Sequence, residues 1–341
     1  MMHFPPAFSI KEKVFFLLIF PALVLYAGFM VQKSPVPVYA EGMGTDFHVL
    51  ASVQGQPTIP ESAVPSQAEI IMRTLSAAYS DRIGPVEFRN GDWAFPIGRR
   101  WFYYAEGRIL PEDRRNRIAE YRALGFNSNY QVELPSWEST AEQRAARTRT
   151  FEEGRANRQP APRTEARPTV RRPNYFFEAL WDIRTRDEAW AQQETVSFLG
   201  HRLTIHSGIS DIINRLNVII MNESRTNLSV RQWINSLGTI TGWNWRNVAS
   251  SGNRSFHSYG IAIDILPRDL RGQATYCLWS SQHTPQWWNI PYSGRWHPPD
   301  EVIKAFESYG FIWGGKWSNF DTMHFEYRPE IFILSNIPIN W

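Results

Sequence analysis

The chain has 341 residues, 43% of them hydrophobic and 14% aromatic, and a formal net charge of +3. That length accommodates one large domain or two ordinary ones, and that apolar content excludes global disorder. The small charge excess argues against a nucleic-acid binder, and the single cysteine, Cys277, excludes an intramolecular disulfide and a cysteine-rich zinc site.

Lys11 and Lys13 precede an apolar run from Val14 to Val31. A basic start followed by an apolar core is the pattern of an export signal, and the run is also close to the ~20 residues of a spanning helix. Pro21 in the middle favours a signal over a stable anchor, and Ala27 and Ala40 supply small residues for cleavage. Residues 1–40 therefore read as a signal peptide or an uncleaved membrane anchor. Either places the remainder in the cell envelope or periplasm, with membrane contact only through this segment. Residues 41–65, rich in Gly, Pro and Ser, read as a tether.

The capping-box pattern Ser66-Gln-Ala-Glu69 predicts a helix to about Ser80, with Ile71, Leu75, Ala78 and Tyr79 on its inner face. Trp93–Ile97 and Trp101–Tyr104 flank a turn at Gly98 and predict a β-hairpin, with Pro96 placing its strand on a sheet edge. A short helix over 111–124 completes a small α+β domain at 66–136, which carries no motif that assigns it a chemistry. Residues 137–172 are rich in Arg and Pro, hold almost no apolar side chains, and read as a solvated linker.

A second domain, 173–341, begins with a predicted helix over 174–193. A strand over 198–206, with a turn at Gly200, and a helix capped by Ser207 or Ser210 follow. The inner face of that helix is Ile209, Ile212, Ile213, Leu216 and Ile220. Residues 268–299 form an aromatic excursion with Trp279, Trp287, Trp288, Tyr292 and Trp296. Such a long, turn-rich stretch reads either as a wall of a substrate cleft or as loops folded over the core. A helix over 300–309 stops at Gly310, and a strand is expected around 323–327.

The chemistry concentrates in Ser255-Phe-His257-Ser-Tyr-Gly260-Ile-Ala262-Ile-Asp264. Gly260 permits a sharp change of direction between the histidine and a strand-like run that carries Asp264. An imidazole and a carboxylate brought together suit a divalent cation, and His324 in Asp321-Thr-Met-His324-Phe-Glu326 is the candidate third ligand. Asp264 among isoleucines would be a costly buried charge unless it were paired or metal-bound. His201, His206, His283 and His297 lack such a context and read as structural or exposed, while His3 and His48 fall in the export segment and the tether.

Ser-x-His-x-x-Gly-x-Ala-x-Asp, followed by an acidic residue three before His-Phe-Glu, resembles the M15 zinc peptidases over about residues 198–335. That family includes VanY-type D-alanyl-D-alanine carboxypeptidases and L-alanyl-D-glutamate endopeptidases. Trp313-Gly-Gly-Lys-Trp317 resembles it too. The resemblance implies an α+β Hedgehog/DD-peptidase-like fold, a small antiparallel sheet flanked by helices. It implies Zn2+ on His257, Asp264 and His324, and Asp321 as the general base where many members have Glu. Glu326 is either a competing base or a residue that orients a ligand from behind. Arg246, after Gly242-Trp-Asn-Trp, loosely fits the arginine that steadies the oxyanion, with Arg254 a second candidate outside the pattern. Ser255 matches a serine that contacts substrate, its alternative being a local cap. The implied activity is hydrolysis of peptidoglycan stem peptides. A D,D-carboxypeptidase-like peptidase is favoured by the exported architecture, and an endopeptidase by the Asp321 form and Trp-Gly-Gly-Lys-Trp. A non-catalytic zinc-containing envelope module is the reading from a different class.

Overall fold

The computed structural model describes residues 65–126, 129–156, 172–248 and 253–341. The expected export segment, almost all of the expected tether, His3 and His48, and the expected linker from 157 to 171 lie outside these residues. The described residues all fall in one compact unit.

Helix α1 (Gln67–Ala78) starts where Ser66 accepts a hydrogen bond from the Glu69 amide, and it buries Ile71, Leu75 and Ala78, with Tyr79 buried at its end. Strands β1 (Glu87–Arg89), β2 (Asp92–Ile97), β3 (Arg100–Tyr103) and β4 (Leu110–Pro111) follow as an antiparallel meander. Here β2 lies between β1 and β3, not at the edge that Pro96 suggested. The reason is local: β1 pairs only with Asp92 to Ala94, so Pro96 lies beyond its reach and its missing N–H costs no ladder bond. The helix expected over 111–124 is a 3-10 helix, Glu112–Glu120.

Part of the expected linker is ordered as helix α2 (Ala141–Ala156). Its Phe151 stacks on Trp288 at 5.2 Å, and Thr148 Oγ1 accepts hydrogen bonds from Trp288 Nε1 and Asn289 Nδ2. The single helix expected over 174–193 is two, α3 (Tyr175–Leu180) and α4 (Arg186–Ala191), parted where Asp182 adopts φ +53°. A Thr185/Glu188 capping box opens the second.

Strands β5 (Gln193–Phe198) and β6 (His201–His206) form a hairpin about Gly200. Helices α5 (Ser210–Thr226) and α6 (Leu228–Ser236) follow, the first burying Ile213, Leu216 and Ile220. Strand β7 (Leu237–Thr241) then pairs with β8 (Ala262–Pro267). The aromatic excursion is a run of short turns around α7 (Cys277–Ser280); Trp288, Tyr292 and Trp296 are buried and Trp279 faces outward. Helix α8 (Asp300–Ser308) ends at Gly310 with φ +81°, as expected. Strands β9 (Phe311–Trp313) and β10 (His324–Tyr327) and helix α9 (Pro329–Leu334) complete the chain. The second sheet has the order β7-β8-β10-β9, all antiparallel. The architecture is α+β, with small antiparallel sheets among helices.

One hydrophobic cluster runs from Ile71, Phe95 and Phe102 through Phe176 and Phe177 to Ile263 and Phe325. The N-terminal sheet expected as a separate small domain thus shares its core with the C-terminal portion. Lys316 shows how tightly the two are joined. Its ammonium donates to the carbonyls of Gln131 and Val132 and to Glu307, 2.5 Å away, with both side chains almost wholly buried. Breaking such a pair strands a buried charge, at a cost of about 3–5 kcal/mol. Lys316→Ala is therefore expected to lower Tm sharply in a thermal melt, and Lys316→Met with Glu307→Gln to recover much of the loss.

Gly260 is a tight point within the C-terminal portion. It adopts φ +73°, and a Cβ there would meet His206 N at 2.6 Å, where the Gly260 carbonyl accepts a backbone hydrogen bond. Gly260→Ala combines left-handed strain with this clash, and about 3 kcal/mol of destabilisation is expected in denaturant titration.

Candidate metal centre and catalytic site

Ser255 fixes the start of the short 3-10 turn that carries His257: its Oγ accepts the His257 amide at 3.3 Å. This is the local cap weighed for Ser255, and the residue is buried. The turn ends at Gly260, and the chain enters β8. In the ladder of β8 and β10, His324 lies directly opposite Asp264. One short turn and one register pair thus bring three distant side chains together.

The donor atoms converge closely. His324 Nδ1 lies 2.9 Å from Asp264 Oδ1, His257 Nε2 lies 3.1 Å from the same oxygen, and the two ring nitrogens are 3.3 Å apart. The outer nitrogen of each ring is already committed. His257 Nδ1 donates to the Gly242 carbonyl at 2.6 Å, and His324 Nε2 faces Glu326 Oε2 at 3.3 Å. A carbonyl can only accept, so His257 Nε2 must present a lone pair when the ring is neutral. The same holds for His324 Nδ1 with its proton toward Glu326. Two imidazole lone pairs and a carboxylate oxygen then point at one another, which repels unless a cation sits among them. Tetrahedral zinc with bonds of ~2.0–2.2 Å holds its donors roughly 3.3–3.5 Å apart, a spacing these atoms nearly have. The residues fit a zinc ion. Among the described residues, they are the group of His, Cys, Asp and Glu side chains able to hold one.

The electrostatics describe the same cluster with a proton in place of the cation. Burial pulls the His324 pKa down, but hydrogen bonds to Asp264 and Glu326 outweigh it and raise it to about 10. Burial pushes Asp264 up, yet its bonds from His257 and His324 hold it well below the usual carboxylate range. Glu326 follows the same balance and is lowered, with His324 and Arg328 prevailing over burial. Metal binding would displace the proton on His324.

Asp321 has the opposite character. Its Oδ1 is buried and has no hydrogen-bond partner. Burial, with Asp264 adding and His324 and Arg246 opposing, pushes its pKa up to about 7. The backbone aims it: the Asp321 amide donates to Gly314 O at 2.9 Å, and residue 321 bridges to Tyr276. An unpartnered carboxyl poised near neutrality, beside a cation site, can take up and release a proton.

Arg246 is pinned to the His257 turn through its backbone, whose carbonyl accepts from the Ser255 amide and from Ser258 Oγ. Its charge is felt at both Asp321 and Tyr276. Arg254 is engaged elsewhere, over the Trp245 ring at 4.0 Å. Glu326 lies behind His324 and is held by Arg328 at 3.0 Å, as befits a residue that orients a ligand. Two participants were missed. The Gly242 carbonyl that fixes the His257 tautomer has no side chain to reveal it, and a Cβ at Gly242 would meet Thr204 O at 2.3 Å. Trp317, whose ring lies 5.5 Å from His324, belongs to Trp-Gly-Gly-Lys-Trp, a pattern that by itself does not place it at the site. His206 and His297 are structural, the first between Trp181 O and the Gly208 amide, the second stacked on Tyr292.

Comparison with known proteins gives three findings. A peptidase M15 family model, described as D-alanyl-D-alanine carboxypeptidase, matches residues 249–327. A model described as a domain of unknown function (DUF8518) matches residues 71–126. The peptidoglycan L-alanyl-D-glutamate endopeptidase CwlK of Bacillus subtilis is 30% identical over 83 residues, covering 23% of this chain and 42% of that protein. The chain thus spans less than half the length of that relative, and no solved structure matches it. Among the described residues, no helix is long and apolar enough to cross a membrane. Residues 249–327, which contain His257, Asp264, Asp321, His324 and Glu326, are thus the part of the chain that is similar to the M15 peptidases.

Proposed function

We propose that the chain is an exported, zinc-dependent peptidase that hydrolyses peptidoglycan stem peptides, D-alanyl-D-alanine carboxypeptidase-like, on a Hedgehog/DD-peptidase-type fold. The observation that carries this reading is the meeting of three metal-type donor atoms beside the unpartnered Asp321 carboxylate. His257, Asp264 and His324 would hold the zinc, which supplies a bound water of lowered pKa and a Lewis acid for the scissile carbonyl. The chain's own residues do the rest. Asp321 takes the proton from the attacking water and delivers it to the departing amine. Arg246 offers positive charge to the developing oxyanion. Glu326 and the Gly242 carbonyl hold both imidazoles in the tautomers that ligation needs. Ser255 shapes the His257 turn, and its amide is anchored to Arg246. The family match to 249–327 supports the carboxypeptidase reading, and the 30% identity to an endopeptidase supports cleavage between L-alanine and D-glutamate as the second. The apolar run Val14–Val31 supports export.

Incubating the zinc-loaded protein with a defined stem pentapeptide separates these readings. Release of D-alanine supports the first and release of L-alanine the second. Zinc bound at one per chain with every stem peptide intact would overturn both and leave a non-catalytic envelope module.

A further inference from the structure

A buried chain of polar contacts runs from the metal ligand His324 to the other end of the sequence. His324 Nε2 faces Glu326 Oε2, and Glu326 Oε1 accepts from Arg328 Nη1 at 3.0 Å. Arg328 Nε donates to Glu330 Oε1 at 2.5 Å, and Glu330 Oε2 accepts from the Tyr79 hydroxyl at 2.7 Å. Every member is at least nine-tenths buried. Tyr79 closes α1, in the region matched by the domain of unknown function, and is 251 residues from Glu330.

We infer that Tyr79 is a positioning residue for the metal centre, through which the N-terminal region sets the geometry of His324. Glu326 and Glu330 compete for the Arg328 guanidinium. A carboxylate beside an arginine tends to bind it with both oxygens. Tyr79 holds Glu330 Oε2 away from that arrangement, so Arg328 meets Glu330 through Nε and keeps Nη1 for Glu326. Arg172 also lies within electrostatic reach of Arg328 and Glu326, and the Phe177 and Phe256 rings lie 5.7 and 5.2 Å from the Arg328 guanidinium. The rings stack on the guanidinium but cannot replace a hydrogen bond in its plane. Without the hydroxyl, Glu330 turns its free oxygen onto Arg328 and draws it from Glu326, and Glu326 loses the contact that fixes it behind His324.

The inference rests on the zinc reading of the site, and its test keeps the two apart. Zinc dissociation constants are measured by chelator competition on the whole chain, wild type against Tyr79→Phe, with Leu75→Ala as a control that loosens α1 without touching the chain of contacts. Partners that orient a ligand from behind are worth 10–100-fold in metal affinity, and Tyr79 stands further out, so roughly a 3- to 10-fold weakening is expected. Leu75→Ala should lower Tm yet leave the constant within about twofold. Glu330→Gln and Tyr79→Phe act through one path, so their combined effect should fall short of the product of the two. A Tyr79→Phe constant equal to wild type, or matched by Leu75→Ala, overturns the inference. Wild type that takes up no zinc overturns the zinc reading instead. In that case the His324 Nε2–H proton signal decides: faster exchange in Tyr79→Phe sustains the positioning role, and equal exchange removes it.

Discussion

Asp264→Ala is expected to abolish stoichiometric zinc binding and, with it, peptidase activity to the limit of detection. Asp264 would be the anionic ligand in the proposed site, and its Oδ1 is the atom on which both imidazoles converge. Two neutral nitrogens alone neither balance the metal's charge nor complete three protein ligands. The loss should also appear as stability. A ligand bound only by the folded protein stabilises it by about 4.1 kcal/mol when free at a thousandfold its dissociation constant. Zinc should therefore raise the wild-type Tm and leave that of Asp264→Ala unmoved. Metal analysis together with melting curves, with and without a chelator, checks both halves. One zinc per chain in Asp264→Ala would remove the carboxylate from the ligand set.

How much of this could be read beforehand depended on sequence distance. The His257 turn was legible because everything that makes it is local: Ser255 caps it, Gly260 ends it, and β8 alternates at once after it. The pairing of His324 with Asp264 is a register between strands sixty residues apart; metal-ligand chemistry and the family pattern both point to His324, but no local signal gives the register. Helix α2 reads as linker because it offers almost no apolar face; it is held by Phe151 against Trp287 and Trp288 and by the Thr148 hydroxyl. The break between α3 and α4 was hidden because Asp182 is not a residue that announces a positive φ as glycine does. The joining of the two halves was least visible. Lys316 looked like part of a family motif, yet it clamps the segment at 131–132, and Tyr79 looked like one more inward residue of an amphipathic helix.

Asp321→Asn is expected to lower kcat by about 10²–10⁴-fold while zinc content stays at wild type. The amide keeps the shape and the backbone contacts to Gly314 and Tyr276 but cannot accept the water's proton. The same substitution should act oppositely on the stability of the metal-free protein. The folded pKa of Asp321, about 7, stands above the ordinary carboxylate value of 3.8. Folding therefore takes up a proton between these two values, and the wild type loses stability as pH rises through that window. Above pH 7 the wild type must bury a carboxylate oxygen that has no donor, whereas Asn buries a neutral group. Metal-free Asp321→Asn should melt higher than metal-free wild type at pH 8, and the difference should vanish by pH 4, where the wild-type carboxyl is protonated in the fold. Zinc reverses the sense for the wild type, because a cation nearby favours the charged carboxylate and draws its pKa down. Metal binding would then relieve the strain at Asp321 and leave it in the charged form that the proposed base needs. Equal melting of the two metal-free proteins at pH 8 would show that Asp321 is not strained, and a kcat within tenfold of wild type would show that it is not the base.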